Sequence, residues 1–447
     1  MRIIVKDGMV VNSKEVIKKD LYIEDEKFCA PFCGEPDEII DASGKYIFPG
    51  VIDVHTHIEQ ESDVDKTCDD YAEGTRAAVS GGTTSVIIFA VQKKGTLPMD
   101  IIRERMESAA KKAICDYSFH IQLTDINETV LSQLKEIVEM GITSVKIYMA
   151  GLGFVINQPN ILKLLQMSKE LGFVVEVHAE SEELIESYRS KLVADGKTQM
   201  PYYAMSRPEI CEVTAIGILD TFAEYVGCRI YIVHLTSRKG LEKIKKGSGF
   251  LIAETCPHYL TFDHTKYEEK DGSKNMMSPP LREQEDIDAL WNGIADGSVK
   301  TVGSDHCPFY LSEKLEFKDD FRKVPLGTPG IETVLPVIYT KGVSEKRIPV
   351  TKIPEVLSEN PARIFNIPGK GFIEEGYDAD LVIFDPEEKY TLKRENVIST
   401  AGYSIYEGME FTGKIEKTFV RGKAVYDRGK VTGAEGYGKF LPRGRMQ

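Results

Sequence analysis

Short apolar runs recur along the middle of the chain, each followed by a stretch whose apolar residues fall at helical spacing. The runs cover residues 51–54, 84–90, 118–123, 144–149, 174–178, 229–234, 250–254 and 300–303. Strands that alternate with helices read as parallel strands joined by crossover helices. Eight such units over roughly 310 residues fit an α/β fold of the (β/α)₈ TIM-barrel type, whose size range includes this length. An open doubly wound sheet is the alternative, but no glycine-rich phosphate fingerprint follows the first strand to favour it.

The two ends have another texture. Residues 1–6, 10–11, 19–23 and 46–47 read as short strands, with turns at Asp7-Gly8 and Ser43-Gly44. Residues 380–384 read as a strand stopped by Asp385-Pro386, and 417–426 as a strand broken at Gly422. We therefore expect a small β-sandwich domain built from both termini (1–48 and 371–447) around a barrel domain (49–370).

Composition narrows the field. A chain of 447 residues with 42% hydrophobic content can bury a large core. No stretch reaches the roughly 18 apolar residues of a membrane span, so a soluble, cytoplasmic protein is expected. A net charge of −14, with no basic block, disfavours a nucleic-acid partner. Cysteines 29, 33, 68, 115, 211, 228, 256 and 307 are scattered, as expected for reduced thiols that pack as small apolar groups.

The chemistry lies at strand ends. Pro49-Gly50-Val51-Ile52-Asp53-Val54-His55-Thr56-His57 is a strand ending in two histidines one residue apart, so both imidazoles leave on one face. Lys146, His178, His234 and Asp305 each follow another apolar run, where a barrel strand meets its active-site loop. Four imidazoles and a carboxylate converging on one mouth form a metal site. An ammonium does not bind a cation, but a neutral lysine amine that adds carbon dioxide becomes an anionic carbamate able to bridge two metals. Burial lowers the lysine pKa and favours that free amine.

This set resembles the cyclic amidohydrolases of the amidohydrolase superfamily: dihydropyrimidinase and hydantoinase foremost, then allantoinase and dihydroorotase. The resemblance spans nearly the whole chain and includes Gly81-Gly82-Thr83-Thr84, Glu254-Thr255-Cys256-Pro257-His258-Tyr259, Ser278-Pro279-Pro280-Leu281-Arg282, Gly303-Ser304-Asp305-His306-Cys307-Pro308 and Asp378-Ala379-Asp380. It implies two divalent ions, zinc foremost, with bicarbonate or CO2 as the source of an N6-carboxylysine at Lys146. His55, His57 and Asp305 would hold the inner ion and His178 and His234 the outer one, bridged by carbamylated Lys146 and a hydroxide. The hydroxide would attack a ring amide carbonyl while Asp305 carries its proton to the leaving nitrogen, and backbone groups of Ser278 would hold the amide or ureide edge of the substrate. The expected partner is a small cyclic ureide or imide, and the expected activity is ring opening of a hydantoin or dihydropyrimidine. An allantoinase or cyclic imide hydrolase is the alternative within the class, and a non-catalytic dihydropyrimidinase-like assembly protein the alternative outside it.

Three features depart from or extend the pattern. Glu59 stands where dihydroorotases carry an arginine for the substrate carboxylate, which speaks against that activity. Gly151 stands where hydantoinases place a tyrosine five residues after the lysine, and Tyr148 is the neighbouring hydroxyl in sequence. The acids of 59–65 are either a solvated face or a wall selecting a polar or cationic ring substituent. Residues 403–410 and the tail 436–445 also resemble the family, in which the tail often reaches a neighbouring subunit, so a homotetramer is implied.

Overall fold

A computed structural model describes every residue except Val64, Leu152, Gly153 and Gln447. Among the described residues, eight parallel strands follow one another in chain order around a barrel: Val51–Thr56, Thr83–Val91, Asp116–Gln122, Ser144–Tyr148, Val174–His178, Ile230–Ile232, Leu251–Thr255 and Val299–Val302. The second strand is buried at all nine positions, and its run Thr-Thr-Ser-Val-Ile-Ile, β-branched but for the serine, suits a strand covered on both faces. The ring closes where Thr56 bridges His306 in parallel and the His57 N–H donates to the His306 carbonyl at 2.8 Å. Helices such as Tyr71–Ser80, opened by a reciprocal Asp70–Glu73 cap, cover the outside.

The β-sandwich expected from the termini is a mixed nine-stranded sheet. Its seam is Tyr46–Pro49, which pairs in parallel with Arg2–Val11 on one side and antiparallel with Leu381–Thr391 on the other. The sheet closes over a core of its own that includes Ile3, Val5, Leu21, Ile47, Leu381 and Phe419.

Two boundaries differ from the sequence reading. Arg2–Val11 is one strand, whose register against Val16–Glu24 shifts between Val5 and Gly8, so Asp7-Gly8 is a bulge rather than a turn. Gly8 is there for packing: a Cβ would sit 2.2 Å from Ile47 Cδ1. Asp385-Pro386 likewise does not stop its strand. Leu381–Thr391 runs on, and the proline falls where the register shifts between Asp385 and Lys389, a place that needs no N–H. The expected break at Gly422 is a turn, with Arg421 and Gly422 both at positive φ.

The tail packs along the amino-terminal end of its own barrel. Leu441 N–H donates to Tyr117 O at 2.7 Å, Arg443 N–H to Gly141 O at 2.8 Å and Met446 N–H to Gly172 O at 2.8 Å. Arg443 is buried there and donates to Ser118 Oγ, Ser144 Oγ and the Phe119 carbonyl. All eight cysteines are free.

Candidate metal centre

The carboxyl ends of the barrel strands gather His55, His57, Lys146, His178, His234 and Asp305, every one of them buried. Five of the six, all but Lys146, lie on or directly after the last two residues of a strand or line the cavity above it; Lys146 is the middle residue of Ser144–Tyr148. Asp305 Oδ1 stands 3.1 Å from His55 Nε2 and 3.2 Å from His57 Nε2. His178 Nδ1 faces His234 Nε2 at 3.0 Å, and the His55 and His234 rings are 5.4 Å apart between centroids. The backbone accepts strain to aim two of these groups, with His234 at φ +40 and Asp305 at φ +48.

Three of the four imidazoles are oriented from behind, while the Nδ1 of His234 has no hydrogen-bond partner among the described residues. His55 Nδ1 pairs with Glu254 Oε1 at 2.6 Å, His57 Nδ1 with Gln60 Oε1 at 2.5 Å, and His178 Nε2 with Glu180 Oε2 at 2.8 Å. Glu254 also accepts the His234 backbone N–H at 3.0 Å and the Tyr231 hydroxyl at 2.8 Å, and Glu180 is ion-paired with Arg207. An outer nitrogen held by a carboxylate or amide leaves the inner nitrogen's lone pair pointing at the centre, the arrangement metal-ligating histidines show. The sequence reading passed over Glu254, Gln60 and Glu180 as individuals. Glu254 and Glu180 each sit one or two residues from a strand end, inside segments already singled out, which was the available signal.

The electrostatics suit a cation. Burial opposes a charged His55, yet Glu254 and Asp305 hold its pKa up at about 9. Burial also opposes the Asp305 charge, and His55 and His57 nonetheless hold its carboxyl well below the usual range. His178 and His234 are pushed down by burial, so both stand neutral with lone pairs available. The amine of Lys146 has no hydrogen-bond partner among the described residues. Burial brings the Lys146 pKa down to about 8, against the pull of Glu176 and Asp305, so free amine is present near neutral pH.

The ligand-type atoms of His55, His57 and Asp305 lie within 4.8 Å of one another and could hold one ion. Cys256, His258 and Asp305 form a second such trio. Burial keeps the Cys256 thiol protonated and pushes His258 down to about 4, so the trio lacks a thiolate and is the poorer donor set.

A cavity of about 280 Å³ opens above these groups. Ser278 lines it, joined to Pro279 by a cis peptide, as do Tyr148 and Gly151. Glu59 does not. Its carboxylate turns under the barrel helices to Ser108 Oγ at 2.6 Å and Lys112 Nζ at 2.8 Å, so it makes no charge contact with the cavity. Glu61 is likewise drawn off by Lys93 at 2.8 Å. Of the acidic stretch, Gln60 and Asp65 reach the cavity, while Val64 lies outside the described residues. Arg189, Arg322 and Lys323 also line the cavity, so its lining is not of one sign.

The Amidohydrolase family model matches residues 46–425. The chain is 37% identical to a D-hydantoinase of Ralstonia pickettii, with 99% of each chain covered. It is also 37% identical to a D-phenylhydantoinase of Escherichia coli (strain K12 / DH10B), covering 99% of this chain and 98% of the relative. The crystal structure of a dihydropyrimidinase from Brevibacillus agri NCHU1002 superposes over 100% of both chains, with a TM-score of 0.97 at 34% identity.

Proposed function

The chain belongs to the amidohydrolase family, and from that premise we propose that it is a hydrolase opening the C–N bond of a cyclic ureide, a hydantoin or dihydropyrimidine. The observation that carries the reading is the convergence of His55, His57, His178, His234 and Asp305 on one barrel mouth, around a buried amine without a hydrogen-bond partner among the described residues. Full-length similarity to hydantoinases supports the substrate class.

Two divalent ions, zinc foremost, would be held by His55, His57 and Asp305 and by His178 and His234, with Lys146 shared between them as its carbamate. Bound there, the ions would polarise the scissile carbonyl and acidify the attacking water. Carbamylation joins the Lys146 amine nitrogen to the carbon of CO2 and releases one proton, which the lowered amine pKa favours. Asp305, kept ionised, takes the proton of the attacking water and delivers it to the leaving ring nitrogen. Backbone groups of Ser278 hold the ureide edge at the cavity wall.

The barrel (49–370) carries the site in this reading, and the terminal sheet (1–48 and 371–447) buttresses it. We assign the protein to the cytoplasm, supported by its free cysteines and by the lack, among the described residues, of a helix long and apolar enough to cross a membrane. Family resemblance supports a homotetramer. The test is the ring-opening rate of protein expressed with zinc and bicarbonate on dihydrouracil, hydantoin, a 5-substituted hydantoin, allantoin, dihydroorotate and a cyclic imide. Turnover of hydantoin or dihydrouracil, lost in Lys146→Ala, supports the reading. Turnover confined to allantoin or the imide moves the protein to that branch, and no turnover of any ring overturns it.

A further inference from the structure

We propose that the Tyr148 hydroxyl is a catalytic residue, donating a hydrogen bond to the oxygen of the scissile carbonyl as negative charge develops there. The inference rests on the ring-opening reading above.

Tyr148 ends the fourth barrel strand, Ser144–Tyr148, two residues after Lys146 and therefore on the same, inward face. Its ring lies nearly parallel to the His178 imidazole, with centroids 5.0 Å apart and planes at 20°. The Lys146 amine sits 4.9 Å from the same ring. The phenol thus rises from the ring of groups that would hold metal and lines the cavity with His57, His234 and Asp305.

Four hydroxyls line that cavity, those of Tyr148, Tyr203, Ser206 and Ser278. Tyr203 donates to Met277 O at 2.8 Å, Ser206 donates to Tyr203 O at 2.6 Å, and Ser278 is hydrogen-bonded to Tyr203. Among the described residues the Tyr148 hydroxyl has no such partner. A tyrosine whose ring is packed at a cavity wall ordinarily finds one, so a free donor there is placed for whatever enters.

Gly151 lies beside it. Its φ of +139 suits glycine, its N–H is held by Glu182 Oε2 at 2.9 Å, and a Cβ would lie 3.7 Å from Tyr148 Cδ1.

The chemistry gives the hydroxyl its role. As water oxygen bonds to the carbonyl carbon, the C=O π pair moves onto oxygen. When the C–N bond breaks that pair returns, and the nitrogen leaves with the proton taken from water. Tyr148 keeps its O–H bond throughout and offers a hydrogen bond that strengthens as the oxygen becomes anionic, which accelerates the step without tightening the ground state.

The test is Tyr148→Phe in the full-length, zinc-loaded enzyme, since phenylalanine keeps the ring on His178 and removes the donor alone. We expect kcat on the wild type's preferred ring to fall roughly 10²–10³-fold, with KM, zinc content and thermal midpoint unchanged. A kcat within about threefold of wild type overturns the proposal. So does a loss of activity matched by a loss of zinc, which would make Tyr148 a positioning residue for His178. A wild type that opens no ring overturns the proposed function and this inference together, whereas an active wild type with an equally active Tyr148→Phe overturns this inference alone.

Discussion

Glu254→Gln isolates the charge behind the centre while sparing its geometry. Glu254 is fully buried; its Oε1 accepts from His55 Nδ1 at 2.6 Å and from the His234 backbone N–H at 3.0 Å, and its Oε2 accepts from the Tyr231 hydroxyl at 2.8 Å. Glutamine can keep its carbonyl in the Oε1 position and both of those bonds. Its NH₂ then meets the Tyr231 oxygen, which can accept because its proton has a second partner, Thr301 Oγ1 at 2.5 Å. The shape is preserved, and what is lost is the anion behind the imidazole. Hydrogen bonds to charged groups contribute about 1.5–3 kcal/mol against about 0.5–1.5 for neutral ones, so the expected loss is about 1–2 kcal/mol. Expressed as metal affinity that is roughly 10-fold, at the low end of the 10–100-fold that such outer partners supply. The assay is competition for zinc against a chelator of known affinity at fixed pH, with thermal unfolding as the control for fold. Zinc affinity within about threefold of wild type would refute the claim that Glu254 tunes His55. A collapse of the fold would refute the claim that glutamine fits.

Two further expectations test the buried charges. Lys146→Met should abolish activity in zinc- and bicarbonate-loaded protein, yet in metal-free, CO2-depleted protein it should raise stability by about 1–4 kcal/mol, because it replaces a desolvated amine without a hydrogen-bond partner by a side chain of similar length; a lower denaturation midpoint would show that the amine has a stabilising partner. Glu332 accepts the N–H groups of Ile398 and Ser399, and burial pushes its pKa from 4.5 up to about 7 against them. The folded form therefore holds a proton that the unfolded form releases, so stability falls as pH rises from about 4.5 to about 7, by at most about 3 kcal/mol and less for its partial exposure. Urea midpoints at pH 5 and pH 8 should differ less in Glu332→Gln than in wild type, and an equal difference would refute the assignment.

The sequence by itself determined the barrel and the ligand types. Eight apolar runs at strand length, alternating with helical spacing, have few other ways to bury both faces, and their ends named His55, His57, Lys146, His178, His234 and Asp305 because a barrel strand delivers side chains at its carboxyl end. The paired texture of the termini likewise announced a shared β unit. The tertiary structure decided what depends on partners distant in the chain. Glu59 looked like a cavity acid until Ser108 and Lys112 drew it under the helices. Asp385-Pro386 looked like a stop until the neighbouring strand supplied a bulge that tolerates a missing N–H. Glu254 orients His55 across 199 residues, and Arg443 enters the barrel foot from a tail that no local pattern assigns to it. Tyr148 was a neighbouring hydroxyl whose direction the sequence left open, and its use depends on the packing of Gly151 and His178 around its ring. Periodicity fixes which way a residue faces within its own element. Which charge or donor it meets there is set by contacts that only the closed barrel brings together.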